Sequence, residues 1–192
     1  LHQEQWSVEM PKPCQIVAVL LLASSLLAGC AATVQRPESP DAAATPVIVA
    51  PDATRHLIVV LEPGPDIERD ENWAALREEW VTSLSAIAPR RGLRGTVVDQ
   101  APGHLDPGDL LVEVRVNDYR YRSQAARYGF GVMTGNAYLY LDLTYKAPPD
   151  GRIIGNRSVS TKSTAWQGVF SAMTPKQVEA VVTDIVDTIA PR

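Results

Sequence analysis

The chain has 192 residues, of which 45% are hydrophobic and 21% charged, and carries a formal net charge of −4. That length suits one domain, and the acidic balance does not suggest general nucleic-acid binding, which favours basic faces. The two cysteines, Cys14 and Cys30, leave little scope for redox or thiolate-metal chemistry, and no cofactor is implied.

The first element is apolar. The run from Ile16 to Ala28 covers 13 residues, too few for a bilayer span, which needs about 20. Lys12 precedes it, and the small residues Ala28 and Gly29 close it. Positive charge, short apolar core and small-residue exit describe a secretory signal peptide over residues 1–29. Glu4 and Glu9 dilute the positive end, so Met10 reads as the true start and residues 1–9 as an artefactual extension. Leu27-Ala28-Gly29-Cys30 resembles the lipobox of bacterial lipoproteins. The resemblance implies cleavage between Gly29 and Cys30, a diacylglyceryl group on the Cys30 thiol and acylation, for example by palmitate, of the new amine. Ala31 follows, in place of the aspartate that typically retains such proteins at the inner membrane. The implied address is the outer membrane, facing the periplasm. With Cys14 removed, the mature chain keeps one cysteine and can form no intramolecular disulfide.

Residues 30–54 read as the lipidated cysteine and a flexible tether. The stretch "AATVQRPESPDAAATPVIVAPDA" (31–53) is rich in Ala and Pro and has no apolar period long enough to bury a face. Val47, Ile48 and Val49 form its one apolar patch, between Pro46 and Pro51, and suit an edge position at best.

Residues 55–192 read as one globular domain. "HLIVVLEP" (56–63) predicts a buried strand, and Asp70 suits the N-cap of the helix that follows. Trp73, Leu76, Trp80, Leu84 and Ile87 recur at steps of three and four, giving one apolar helical stripe that Pro89 and Gly92 stop. "LRGTVVD" (93–99) predicts a second strand and "APGHLDPGD" (101–109) a loop. The period then becomes two. Leu110, Val112, Val114 and Val116 alternate with polar neighbours, as do Leu139, Leu141, Leu143 and Tyr145, so two half-buried strands are expected. "APPDG" (147–151) is a turn, and residues 152–163 return antiparallel at the sheet edge, guarded by Arg152, Arg157 and Lys162. Thr174-Pro175-Lys176-Gln177 has the form of a capping box before a last amphipathic helix. The expected fold is α+β: a two-layer sandwich of a mostly antiparallel sheet of about five strands, with two amphipathic helices on one face. The other face is left to water or to a partner.

Two stretches are candidate binding residues. "NDYRYRSQAARY" (117–128) interleaves Tyr119, Tyr121 and Tyr128 with Arg120, Arg122 and Arg127. Arginine forks bind phosphates and carboxylates, and tyrosines add flat amphipathic area; a solvated strand end with stacked side chains is the plainer reading. "AWQGVFSAM" (165–173) places Trp166 and Phe170 either in a lid over the sheet or in an exposed apolar patch. Catalytic signals are lacking. Gly129, Gly131 and Gly135 miss the dinucleotide-binding spacing, there is no G-x-S-x-G elbow, and His56 and His104 have no histidine at metal-ligand spacing.

The order of strand, "NWAALREEWVTSLSAI", a tyrosine- and glycine-bearing strand pair, "APPDGRIIG" and a closing "VVTDIVDTIA" resembles the small YajG-like proteobacterial envelope lipoproteins of unknown function. The resemblance implies a lipid-anchored periplasmic domain with no family active site. The expectation is an outer-membrane lipoprotein that is not an enzyme and acts as an accessory or interaction module with an envelope protein partner. The alternative is an envelope lipid- or glycan-binding lipoprotein. Oligomeric state is left open. One acyl chain holds a protein marginally and several hold it stably, at about 0.8 kcal/mol per buried methylene. Cys30→Ser should therefore accumulate as an uncleaved precursor that takes up no labelled palmitate, whereas wild type is labelled.

Overall fold

The computed structural model describes residues 33–35, 47, 53–65, 67, 69–121, 137–162 and 173–190. The chain divides into two compact units, Leu1–Cys30 and Ala31–Arg192. The first lies wholly outside the described residues, and with it the signal segment, Gly29 and Cys30.

The second unit contains, in order, β1 (Thr33–Gln35), β2 (His56–Pro63), α1 (Trp73–Ile87), a 3-10 turn (Ala88–Arg91), β3 (Arg94–Val98), β4 (Asp109–Arg120), β5 (Tyr138–Ala147), β6 (Arg152–Lys162) and α2 (Met173–Ile189). The strands form one six-stranded sheet in the order β1-β6-β5-β4-β2-β3. Neighbours from β1 to β4 pair antiparallel, while β2 runs parallel to both β3 and β4. The α+β class stands, but the sheet is mixed and has one strand more than the expected five. Parallel neighbours arise because α1 carries the chain back along β2 before β3 begins, as a crossover must. The extra strand, β1, is three residues long and too short to show a period. Thr33–Gln35 pairs with β6, and Val34 and Val47 pack against the core. The flexible-tether reading therefore fails at these residues.

The main core occupies one face of the sheet. Leu57, Val59 and Leu61 of β2, alternate residues of β4 and β5, and Val159 of β6 meet Leu76, Trp80 and Leu84 of α1 and Val178, Val182 and Ile185 of α2. Each such side chain, fully buried, contributes about 1.5–3 kcal/mol. Both helical stripes fall where the spacing predicts, with Trp73 half-buried at the start of the first. Helix α1 lies so close on β3 that a Cβ on Gly95 would sit 2.6 Å from Leu84 Cγ and 3.0 Å from Ala88 Cβ. Two ion pairs fasten α2: Arg157 of β6 with Asp184 at 2.6 Å, and Arg91 with Asp187. Arg157 is thus turned inward between sheet and helix, not outward as an edge guard. Strand β6 is also not a bare edge, since β1 covers it at Ser160–Lys162.

A smaller cluster lies on the opposite face. Ile58, Val60 and Leu111 are covered there by Leu105, from the loop that leads from β3 to β4. Strand β2 is therefore buried on both faces, which accounts for its unbroken apolar run. Helix starts differ in detail from expectation. Asn72, not Asp70, is the N-cap of α1, and its side chain makes no capping bond. Asp70 instead accepts the Asn72 backbone N–H at 2.7 Å. Gln177 is fully buried and donates to the Ala137 carbonyl at 2.8 Å, so it joins α2 to the start of β5 and does not serve as a capping-box partner.

The α1–β3 contact generates a prediction. Gly95→Val should destabilise the domain by about 1–3 kcal/mol through overpacking against Leu84 and Ala88, read as a lower urea midpoint with an unchanged slope.

Candidate functional site

The crossover helix and the β3–β4 loop cover both faces of β2, and the second helix covers the inner face of β4, β5 and β6. Among the described residues, nothing covers the outer face of β4–β6. Register sets its side chains in rows across the strands: Glu62, Arg115, Asp142 and Ser158; then Asp118, Tyr140 and Ser160; then Arg120 and Tyr138. Arg115, Asn117, Asp118 and Arg120 are exposed, and Tyr138 and Tyr140 half-exposed.

One irregularity decides which residues reach this face. Inward positions on β4 run Leu110, Val112, Val114, Val116, and strict alternation would continue them at Asp118 and Arg120. A bulge between Val116 and Asp118 leaves Asn117 out of the β4–β5 register, which shifts the alternation by one. Tyr119 therefore enters the core at 8% exposure, and Arg120 turns outward.

The open face is laddered by cross-strand polar contacts. Asp142 accepts from Asn117 Nδ2 at 2.7 Å and from Ser158 Oγ at 2.5 Å. Lys146 Nζ donates to Glu113 at 2.5 Å, and the Tyr138 hydroxyl donates to Asp118 at 3.4 Å. The rings of Tyr138 and Tyr140 are 5.4 Å apart at 52°, and the Arg120 guanidinium lies 5.6 Å from the Tyr138 ring centre. Such a surface offers flat aromatic area, an arginine fork and a fixed carboxylate, the groups that suit contact with a polar macromolecule. Among the described residues, Arg115 has no ion-pair partner.

The sequence candidates are divided by this geometry. Arg120 belongs to the open face. Tyr119 and Tyr121 point to the other side, toward α1. Burial and the neighbouring Asp70 carboxylate push the Tyr119 hydroxyl well above its ordinary value of 10. Burial pushes Asp70 up, but hydrogen bonds from the Asn72 backbone and from the Tyr119 and Asn72 side chains outweigh it, so Asp70 lies below its ordinary value. Tyr121 donates to Glu79 at 3.3 Å. Burial, then the Glu79 charge and hydrogen bond, raise Tyr121, while burial raises Glu79 against the lowering effect of that bond. Arg122, Arg127, Tyr128, Trp166 and Phe170 lie outside the described residues.

Two features escape a reading by sequence. Tyr138 and Tyr140 read only as the polar side of a strand, and their alignment with Arg120 follows from pairing. His56 begins β2, where its ring joins three strands: Nδ1 lies 3.1 Å from Asp109 of β4, and Nε2 lies 3.0 Å from the Thr96 hydroxyl of β3. With Nδ1 protonated toward the carboxylate, Nε2 accepts from Thr96. The order hydroxyl, imidazole, carboxylate has the makeup of a hydroxyl beside a base that a carboxylate orients. Here its members sit on adjacent strands of one sheet, with Thr96 exposed, and they act first as a clip across the parallel strands.

No family model matches the chain, and no curated protein matches it. Among solved structures it is similar to the PelC dodecamer from Paraburkholderia phytofirmans, at 9% identity over 84% of this chain and 99% of that one, with a TM-score of 0.48. It is also similar to a DUF330 protein from Xanthomonas campestris, at 12% identity over 73% and 88% with a TM-score of 0.40. A third likeness is to a minor lipoprotein from Acinetobacter baumannii, at 14% identity over 69% and 90% with a TM-score of 0.33. At these values the likenesses carry no argument about activity.

The raised Tyr119 sets a pH dependence. The folded state holds the phenolic proton more tightly than the unfolded chain, so the stability it contributes is complete below pH 10 and is lost as pH rises toward the folded value. Tyr119→Phe should lose stability less steeply above pH 10, by at most about 1.4 kcal/mol per pH unit, in urea melts followed up to the alkaline range.

Proposed function

We propose that the protein is a lipid-anchored lipoprotein of a bacterial outer membrane, facing the periplasm, and that it is a non-enzymatic interaction module. It meets an envelope protein partner through the outer face of β4–β6. The anchor half of this reading is supported by the Leu27-Ala28-Gly29-Cys30 sequence. The interaction half is carried by one observation: three long strands present an ordered polar and aromatic face that no described helix or loop covers. An antiparallel sheet needs only one packed face, but an uncovered face need not bring two aromatic rings and an arginine into one patch.

That patch also favours a second reading. The tilted rings of Tyr138 and Tyr140, with Arg120 over Tyr138, suit an anionic glycan or lipid headgroup, since aromatic planes cover sugar rings and the guanidinium pairs with acidic groups.

A photo-crosslinking residue at Thr144, on the open face, should trap a discrete protein adduct in the envelope. Arg115→Glu with Tyr140→Ala should reduce that adduct roughly tenfold, about 1.4 kcal/mol, without lowering the melting temperature. Absence of any protein adduct, with binding of delipidated protein to acidic glycans or envelope-lipid vesicles, would favour the second reading.

A further inference from the structure

Strand β3 (Arg94–Val98) closes one side of the sheet, with β2 as its neighbour and no further strand beyond it among the described residues. The Arg94 N–H donates to the Arg55 carbonyl. Arg94, Thr96 and Val98 therefore turn their backbone groups toward β2, and Gly95 and Val97 turn theirs to the edge. Natural edges are commonly guarded by lysine, proline or a bulge. Strand β3 has none of these: its sequence is RGTVV, and its register on β2 runs without a shift. Its valines are half-buried, Val97 against the main core and Val98 against the smaller cluster, so the apolar cover on both faces stops short at the edge. The chain that leads into and out of β3, residues 69–121, is described throughout.

Helix α1 overhangs this edge. Arg77, Val81, Leu84 and Ala88 lie on one helical stripe. Arg77 pairs with Asp99 just after β3, and Leu84 and Ala88 close over Gly95, so this stripe is the flank that α1 turns to β3. Val81 lies on it and yet is 45% exposed. At the start of β3 the side chains of Arg55, Arg90 and Arg94 are exposed and have no ion-pair partner among the described residues. The Asp109 carboxylate on this side is already held by His56 and by the Asp106 N–H. We propose that the β3 edge binds an extended segment of another protein as an added antiparallel strand, with apolar residues against Val81 and Val97 and acidic residues at its carboxyl end beside Arg55, Arg90 and Arg94. Main-chain bonds to Gly95 and Val97 supply affinity, and the apolar and charged contacts supply selection. The antiparallel ladder is the more stable per residue, and it sets the segment's carboxyl end at the start of β3. A second copy paired through its own β3 fits poorly. The two strands would lie about 4.8 Å apart, whereas α1 sits directly on β3 and packed helix axes need about 8–10 Å. The edge does not depend on the open-face reading, because β2 lies between β3 and β4.

The test uses the full chain in detergent and a short fluorescent peptide of alternating valine and threonine with glutamates at its carboxyl end. Saturable binding is expected by fluorescence anisotropy. The same peptide ending in lysines should bind about tenfold more weakly, and Arg94→Glu should reverse that order. Val81→Glu should weaken both peptides without lowering the melting temperature. Residues opposite Gly95 and Val97 share their face and point their N–H groups at them, so the peptide's valines lie beneath α1 with their amides on β3. N-methylation of the valine amides should therefore abolish binding, and N-methylation of the threonine amides should leave it intact. No saturable binding, equal loss from the two methylations, or binding unchanged in Val81→Glu would overturn the proposal. So would a dimer of the wild-type chain that Val81→Glu disperses, since a second copy would then occupy the edge.

Discussion

The rest of the domain is arranged around strand β2, which must be covered on both faces. Leu57, Val59 and Leu61 turn one way, Ile58 and Val60 the other, and all five are buried. One cover is α1, which returns the chain for a parallel β3 and packs Leu76, Trp80 and Leu84 on the inner side. The other is the β3–β4 loop, whose Leu105 closes over Ile58, Val60 and Leu111. Both covers are spent at this end of the sheet. Among the described residues, strands β4, β5 and β6 receive α2 on their inner face and no cover on their outer one. The open face is thus a consequence of where the apolar run of β2 was placed.

Within that open half, position is set by backbone geometry more than by side-chain chemistry. The bulge at Asn117 moves Tyr119 into the core and Arg120 out of it. Had the ladder stayed regular, a carboxylate and a guanidinium would have turned toward apolar neighbours, at a cost that burial of charge makes large. The bulge places each residue where its chemistry is tolerated. It also sets Arg120 over Tyr138, so one unpaired residue links core packing to the makeup of the surface.

The helix layer is held by a combination of apolar and ionic contacts. Arg157 reaches inward from β6 to Asp184, with its guanidinium 5.5 Å from the ring centre of Tyr145, while Arg91 pairs with Asp187 from the 3-10 turn after α1. Ion pairs of this kind fix the placement of a helix more than they add to stability. Here they hold α2 across β5 and β6 while Gln177 holds its start. Strand β1 then docks on β6 beside α2. The N-terminal stretch is thereby tied to the edge of the sheet.

Local pattern alone determined the two amphipathic helices, the buried β2 strand, the half-buried β4 and β5 and the hairpin before β6, because each is written in a period of 3.6 or 2 or in turn residues over adjacent positions. Leu76, Trp80, Leu84, Val178, Val182 and Ile185 were legible as core for that reason. Strand direction was not, since periodicity is the same in parallel and antiparallel ladders. Neither was β1, whose three residues carry no period, nor the inward turn of Arg157, whose partner Asp184 lies 27 positions further along the chain. The open face was only partly legible: alternation implied a polar side, but Arg120, Tyr138 and Tyr140 come from separate strands and meet through register. The bulge at Asn117, which assigns Arg120 to that face and Tyr119 to the core, is a property of how two strands pair, and only the tertiary structure decided it.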